Sequence, residues 1–148
     1  MPYTEAPSGW WQQFVAAAPP RTAKLAVTRA DGSPHVAPLW VDLDGDGDRC
    51  VVVFTTGRDT VKGRAILRDP RVALCWDDER PPFSFVTLRG SATVSADPAQ
   101  VASWAARIGG RYMGADRAEE FGRRNGGPGE LLVRVRPLHV VAKIDIAD

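Results

Sequence analysis

Basic residues are concentrated in the stretch TTGRDTVKGRAILRDP, residues 55–70, where strand-forming residues give way to helix-forming ones. Arg58 and Lys62 are four residues apart and would share one face of a helix. The first amides of a helix lack intrahelical acceptors, so this helix start, together with the hydroxyls of Thr55 and Thr56, could bind a phosphate. A solvated basic helix face would explain the same charges, and the spacing alone favours neither. The cations of the stretch are Arg58, Lys62, Arg64 and Arg68.

Other patterns that could carry chemistry are incomplete. A calcium loop starting at Asp42 would need a bidentate glutamate at its twelfth position, which is Val53. The glycine-rich motifs of dinucleotide-binding and P-loop proteins do not occur, and neither does G-x-S-x-G. The cysteines and histidines do not have metal-ligand spacing. We therefore expect no metal and no covalent nucleophile, and His35 either lines a ligand cleft or lies on a strand surface.

Composition places the chain among ordinary globular proteins. It has 148 residues, of which 44% are apolar and 25% are charged. Its 19 basic and 18 acidic residues argue against binding along a nucleic acid backbone. The chain has no apolar run of membrane-spanning length and no secretory leader pattern. Cys50 and Cys75 lie in apolar strand-like runs, so we expect buried, reduced thiols in one cytoplasmic domain comprising residues 1–148.

Alternating apolar and polar residues predict mainly strands. An N-terminal helical segment within residues 1–20 precedes them, a helix at 60–69 interrupts them, and a helical excursion at 97–125 comes before the last ones. Pro38 indicates an edge, a bulge or a ligand nearby, and Gly90 indicates a bulge. Tight links between successive strands predict a small antiparallel barrel with helices outside it. The strands are expected at 22–29, 34–43, 50–56, 71–76 and 83–94, with a strand pair or one long bent strand at 130–147.

Two motifs and the order of these segments resemble the pyridoxamine 5'-phosphate oxidase-like family of split β-barrel flavoproteins. The motifs are ADGSPHVAPLW and the stretch TTGRDTVKGR, which is followed by RDPRVAL. More narrowly, they resemble the actinobacterial branch that uses the deazaflavin coenzyme F420. The resemblance extends over residues 20–145. It implies a mainly β fold with flanking helices: an FMN-binding-like, antiparallel Greek-key barrel of six to seven strands.

The resemblance also implies a homodimer with two cofactor sites at the subunit interface. In such proteins the segment that corresponds to Pro38, Leu39 and Trp40 lies along the flavin-type ring. Thr55 and Thr56 would then line the ring and the ribityl chain. Neither a nucleic acid nor a membrane is an implied partner.

Lys62, with Arg58 and Arg64 nearby, matches the basic element that holds the cofactor phosphate in the family. Many relatives carry K-x-x-N in this helix, whereas the fourth position here is Ala65. The resemblance therefore leaves one cofactor hydrogen bond in question. FMN and F420 both carry a ring, a chain and a phosphate, and F420 adds a lactyl-oligoglutamate tail. The additional cations favour F420, with FMN as the alternative cofactor.

The function implied by the resemblance is hydride transfer between reduced F420 and an unsaturated small-molecule acceptor. The cofactor would carry the redox step, and the protein would bind and orient it. No residue is assigned with certainty to catalysis, and His35, Tyr112 and Arg111 are candidates for protonating the acceptor. The alternatives are an FMN-binding oxidoreductase of the same fold and a non-catalytic flavin or deazaflavin carrier.

Overall fold

The structure is a computed structural model that describes residues 3–148. It contains eight strands and four α-helices. In chain order these are β1 (Thr4–Glu5), α1 (Trp10–Ala16), β2 (Ala23–Thr28), β3 (Pro34–Leu39), β4 (Asp42–Asp44), β5 (Val51–Gly57), α2 (Val61–Arg68), β6 (Arg71–Asp77), β7 (Phe85–Ser95), α3 (Pro98–Met113), α4 (Ala118–Asn125) and β8 (Glu130–Ile144).

All strands belong to one antiparallel sheet. Its order is β3-β2-β6-β7-β8-β5-β4, and β1 also pairs with β8. The sheet does not close, since β3 and β4 stand at opposite ends of this order. The predicted split-barrel fold with flanking helices is confirmed. The strand count exceeds the expected six to seven because β1 is a short addition of two residues and because the single strand expected at 34–43 is divided into β3 and β4.

β7 and β8 are the longest strands, with 11 and 15 residues. The segment after residue 130 is thus one long strand. The pairing of β7 with β8 shifts in register between Arg89 and Gly90, which confirms the bulge predicted at Gly90. A Cβ atom on Gly90 would lie 2.5 Å from the carbonyl oxygen of Arg136, so only glycine fits this close approach.

The main core lies between the sheet and helices α1 and α2. Its largest fully buried side chains include Trp76, Phe54 and Leu88. Strict alternation of buried and half-buried residues along β2 produces this arrangement, because one strand face points inward. Burial raises the pKa of the Cys50 and Cys75 thiols, and neither forms a disulfide. Within residues 3–148, no helix is long and apolar enough to cross a membrane.

Helices α3 and α4 form the excursion expected at residues 97–125 and pack against each other. The pair Gly109-Gly110 lies where the two helices approach each other closely. A Cβ atom on Gly109 would lie 2.2 Å from the Cβ of Phe121, so the two helices approach too closely for any side chain there. This contact places Phe121 at the edge of the pocket that α3 and α4 form with the ends of β3 and β5.

Candidate functional site

A pocket of about 500 Å³ lies where the end of β3, the end of β5 and the start of α2 meet the α3–α4 pair. Its volume is within the usual range for small-molecule sites. From the strand side and α2 it is lined by Pro38, Leu39, Trp40, Thr55, Thr56, Gly57 and Lys62. The family resemblance assigned all of these except Gly57 to a cofactor. The structure therefore brings two motifs that are 15 residues or more apart in the sequence into one cavity.

The helical wall of the pocket was missed by sequence reasoning. It contributes apolar side chains from α3 and α4 and polar ones from the end of α4 and the start of β8. Phe121, Arg124 and Asn125 have the i, i+3, i+4 spacing of one helix face, and this was the signal available in the sequence. The lining residues on this side are Ala105, Ile108, Met113, Phe121, Arg124, Asn125 and Glu130.

The turn between β5 and α2 is fixed by threonine hydroxyls. Thr60 caps α2, because its Oγ1 accepts from the amide of Gly63 at 3.0 Å. The same hydroxyl donates to the carbonyl oxygen of Gly57 at 2.7 Å. Its proton is thereby committed, so Thr56 is the donor in the 3.2 Å contact between the two threonine hydroxyls. Thr56 is only 4% exposed and keeps lone pairs that can accept from a ligand.

Lys62 lies in the first turn of α2 and its half-buried side chain lines the pocket. The amides of Val61 and Lys62 have no hydrogen-bond acceptor within the described residues. Free amides and a lysine at a helix start form a favourable environment for an anion. This end of the pocket is thus positively polarised.

Arg58 and Arg64, predicted to support Lys62, do not line this pocket. Arg58 is exposed and lines a neighbouring cavity of about 310 Å³. Arg64 is exposed on the side of α2 that faces away from the core. Ala65 is 2% exposed within the main core, so this side chain faces the packed interior rather than the pocket. Cofactor contacts of the two arginines stay a prediction.

Trp40 is held between two aromatic rings. The ring of Tyr112 is stacked on it with a centroid distance of 5.2 Å and an interplanar angle of 7°. The ring of Phe121 meets it edge-on at 5.4 Å. The indole therefore forms a fixed aromatic wall of the pocket.

The three candidates for protonating an acceptor lie outside the pocket lining. The Tyr112 hydroxyl donates to the carbonyl oxygen of Arg21 at 2.7 Å and accepts from the amide of Val41 at 3.2 Å. Burial raises its pKa, and the hydrogen bond with Val41 opposes this. The Arg111 guanidinium donates to backbone carbonyls of Val41 and Val15. These hydrogen bonds indicate that Tyr112 and Arg111 stabilise the backbone around Val41.

His35 lies on edge strand β3, where its Nδ1 is 3.1 Å from a guanidinium nitrogen of Arg29. Because the guanidinium can only donate, Nδ1 is assigned as the acceptor. A role in proton transfer stays a prediction for His35, Tyr112 and Arg111 alike.

Glu130 contributes a carboxylate to a pocket that otherwise carries the cations Lys62 and Arg124. Its Oε1 lies against the β5–α2 turn, 3.8 Å from where a Cβ atom on Gly57 would be. Burial raises the pKa of this carboxyl, and the charge of Lys62 partly offsets the effect. The Arg124 guanidinium lies over the Phe121 ring at 5.4 Å and faces the same cavity.

The pocket therefore has an apolar, aromatic half and a polar half with hydroxyls, amides and cations. A flat ring fits the first half, and a hydroxylated chain that ends in a phosphate fits the second. The structure defines a split-barrel protein with a pocket of this character.

Comparison with known proteins gives the family. Residues 11–143, most of the chain, match the model of the pyridoxamine 5'-phosphate oxidase family. The chain belongs to this family. No curated protein matches the sequence.

Solved structures similar to the chain include the conserved hypothetical protein Rv2991 from Mycobacterium tuberculosis, with 22% identity and a TM-score of 0.80 over 95% of this chain and 87% of that one. An F420 reductase is 26% identical, with a TM-score of 0.68 over 91% and 98% of the two chains. The heme storage protein HutZ from Vibrio cholerae is 16% identical, with a TM-score of 0.63 over 83% and 86%. The first and third similarities show the fold alone.

Proposed function

We propose that this protein is an oxidoreductase that transfers a hydride between reduced coenzyme F420 and an unsaturated small-molecule acceptor. The observation that carries the proposal is the convergence of Pro38, Leu39, Trp40, Thr55, Thr56 and Lys62 on one pocket. From one end of the pocket to the other, these side chains can contact a flat ring, then a hydroxylated chain, then a phosphate.

The residues present fit such a cofactor. Trp40 and its neighbours would contact the ring, Thr55 and Thr56 would bind chain hydroxyls, and Lys62 with the first amides of α2 would hold the phosphate. When bound, the deazaflavin would supply a hydride from its ring carbon 5.

The protein's own contribution is to bind and orient the cofactor and the acceptor. The stack on Tyr112 fixes the plane of Trp40, and the apolar side chains of Ile108 and Phe121 close the helical side. Because the hydroxyl proton of Tyr112 is donated to Arg21, we propose that water supplies the proton to the acceptor.

F420 is favoured over FMN by the similarity to an F420 reductase, which extends over nearly the whole of both chains. Arg124, a cation that the sequence motif did not include, adds positive charge at the same pocket. The tail carboxylates that distinguish F420 would interact favourably with this charge. An FMN-dependent reaction of the same fold is the alternative outcome.

We further propose a homodimer in the cytoplasm. The pocket opens beside edge strand β3, on which Val36 is 64% exposed, and beside Met113, which is 38% exposed. A second subunit over these side chains would cover both apolar surface and cofactor. Unpaired Cys50 and Cys75 support a reducing compartment. Light scattering of the purified protein tests the dimer.

Turnover distinguishes an enzyme from a carrier. Reduced F420 is mixed with the protein and a panel of quinones, enones and tetrapyrroles, and its reoxidation is followed by absorbance. We expect oxidation that depends on both protein and acceptor. Tight F420 binding without reoxidation of F420 by any class of acceptor would favour a carrier. Acceptor-dependent oxidation of reduced FMN, with none of reduced F420, would identify FMN as the cofactor.

A further inference from the structure

We propose that the carboxylate of Glu130 competes with the anionic end of the ligand, so that ligand binding favours the protonated form of Glu130 and takes up a proton from solvent where this carboxyl titrates. The inference rests on the proposed function, because it concerns the phosphate end of the same pocket. It adds a residue that opposes binding to those that favour it.

The position of Glu130 is the first argument. It pairs with Gly57 across β5 and β8, and its Oε1 lies 3.8 Å from where a Cβ atom of Gly57 would be. Gly57 also accepts hydrogen bonds from Thr60, the cap of α2. The carboxyl thus lies at the helix start where a ligand phosphate would bind.

The second argument is that Glu130 has no close partner of its own. Nothing in residues 3–148 donates a hydrogen bond to its carboxyl, and Lys62 is the cation whose charge acts on it. The charged side chains that line the same two cavities as Glu130 are Lys62 on α2, Arg124 on α4 and Arg58 in the turn before α2. Within the described residues, no carboxylate other than Glu130 lines these cavities. A half-buried carboxyl without a partner is poised to change its protonation state.

The direction of the pH effect follows from charge. Burial already raises the pKa of Glu130, and a bound phosphate would raise it further because like charges repel. Affinity is therefore highest where Glu130 is protonated in the free protein, falls as the pH passes its pKa values in the free and bound forms, and then levels off.

The test compares F420 affinity from pH 4.5 to 8 in the wild type, Glu130→Gln and the control Glu79→Gln, with fluorescence quenching as the readout. Glu79 is exposed and lines neither cavity, so its replacement changes the net charge equally. The ratio of two dissociation constants at one pH cancels any titration of the ligand itself. We expect Glu130→Gln to bind about tenfold more tightly at pH 8, corresponding to about one pKa unit of coupling, and to match the wild type at the acid end. The Glu79→Gln variant should follow the wild type throughout.

Proton uptake gives a second readout that needs no variant. Calorimetric titration of the wild type in two buffers of different ionisation enthalpy, repeated from pH 4.5 to 8, should show net proton uptake on binding in the pH range where the wild type and Glu130→Gln diverge in affinity. Equal affinities of wild type and Glu130→Gln at every pH, or weaker binding by Glu130→Gln, would overturn the inference while leaving the proposed function standing. If neither F420 nor FMN binds any of the proteins, the proposed function fails, and the inference fails with it.

Discussion

The ring of Tyr112 lies parallel to that of Trp40, with centroids 5.2 Å apart, while its hydroxyl joins the backbone of Val41 to that of Arg21. One side chain at the end of α3 thus fixes both the aromatic wall of the pocket and the strand end that carries it. This places Tyr112 behind the pocket wall, in a supporting position.

Replacing Tyr112 with phenylalanine should keep the stack and remove both hydrogen bonds. Val41 is fully buried, so its amide would lose its partner without gaining water. We expect the free energy of unfolding to fall by about 1–3 kcal/mol, measured by denaturant titration. The exposed Tyr3 provides the control Tyr3→Phe, for which we expect little change. Equal stability of the two variants would contradict the supporting role.

Lys62→Ala should weaken cofactor binding, because it removes a charge-assisted hydrogen bond from the phosphate. We expect a loss of roughly 1.5–3 kcal/mol of binding free energy by fluorescence titration. Arg64→Ala is the matched control, since Arg64 lies on the same helix but outside the pocket. If Arg64→Ala weakens binding as much as Lys62→Ala, the effect is one of overall helix charge and the site assignment is wrong.

Asp78 should contribute to stability in a pH-dependent way. Hydrogen bonds from the side chain and amide of Arg80 lower the pKa of its carboxyl to about 2, with smaller contributions from the charges of Arg80 and Arg21. Because the pKa is lower in the folded protein, the contribution is fully present above the usual value of 3.8 and is lost as the pH falls towards 2.

Thermal unfolding of Asp78→Asn between pH 2 and 5 checks this expectation. The variant should be less stable than the wild type at pH 5 and should approach it at pH 2. Asp48→Asn is the control, since that side chain is exposed in the loop before β5. A constant difference between Asp78→Asn and wild type over this range would contradict a protonation-linked contribution.

Gly109→Ala should destabilise the protein even though alanine favours helices. The new methyl group would lie 2.2 Å from the Cβ of Phe121, so α3 and α4 would have to separate. We expect a net loss of about 1–3 kcal/mol in the free energy of unfolding, typical of overpacking. Gly127→Ala, where the nearest atom would be at 3.5 Å, is the control. Unchanged stability of Gly109→Ala would show that the helix pair can move apart, and Phe121 would then not fix the wall beside Trp40.

Local patterns were sufficient to predict the elements on the strand side of the site, whereas the family resemblance assigned their residues to a cofactor. Alternation identified the strands, Gly90 identified the bulge, and the β5–α2 turn with Lys62 follows directly from consecutive residues. These features depend on neighbours in sequence or on one strand pair. The patterns predicted a small antiparallel barrel, and the family resemblance predicted the split-barrel fold and half of the pocket lining.

The helical side could not be predicted from local patterns. Phe121, Arg124 and Glu130 reach the pocket only because α3 and α4 pack over it. That packing depends on the close approach of Gly109 on α3 to Phe121 on α4. Whether the Arg64 side chain points towards the pocket or away from it depends on how α2 is rotated about its axis against the core. The burial of Ala65 determines this rotation.

The central claim is tested most directly by measuring the binding of F420 and of FMN to the same purified protein side by side. Fluorescence titration of each cofactor gives two dissociation constants under one set of conditions. We predict that F420 binds and that FMN binds at least about tenfold more weakly, a difference of about 1.4 kcal/mol. Tight binding of FMN with no measurable binding of F420 would contradict the proposal.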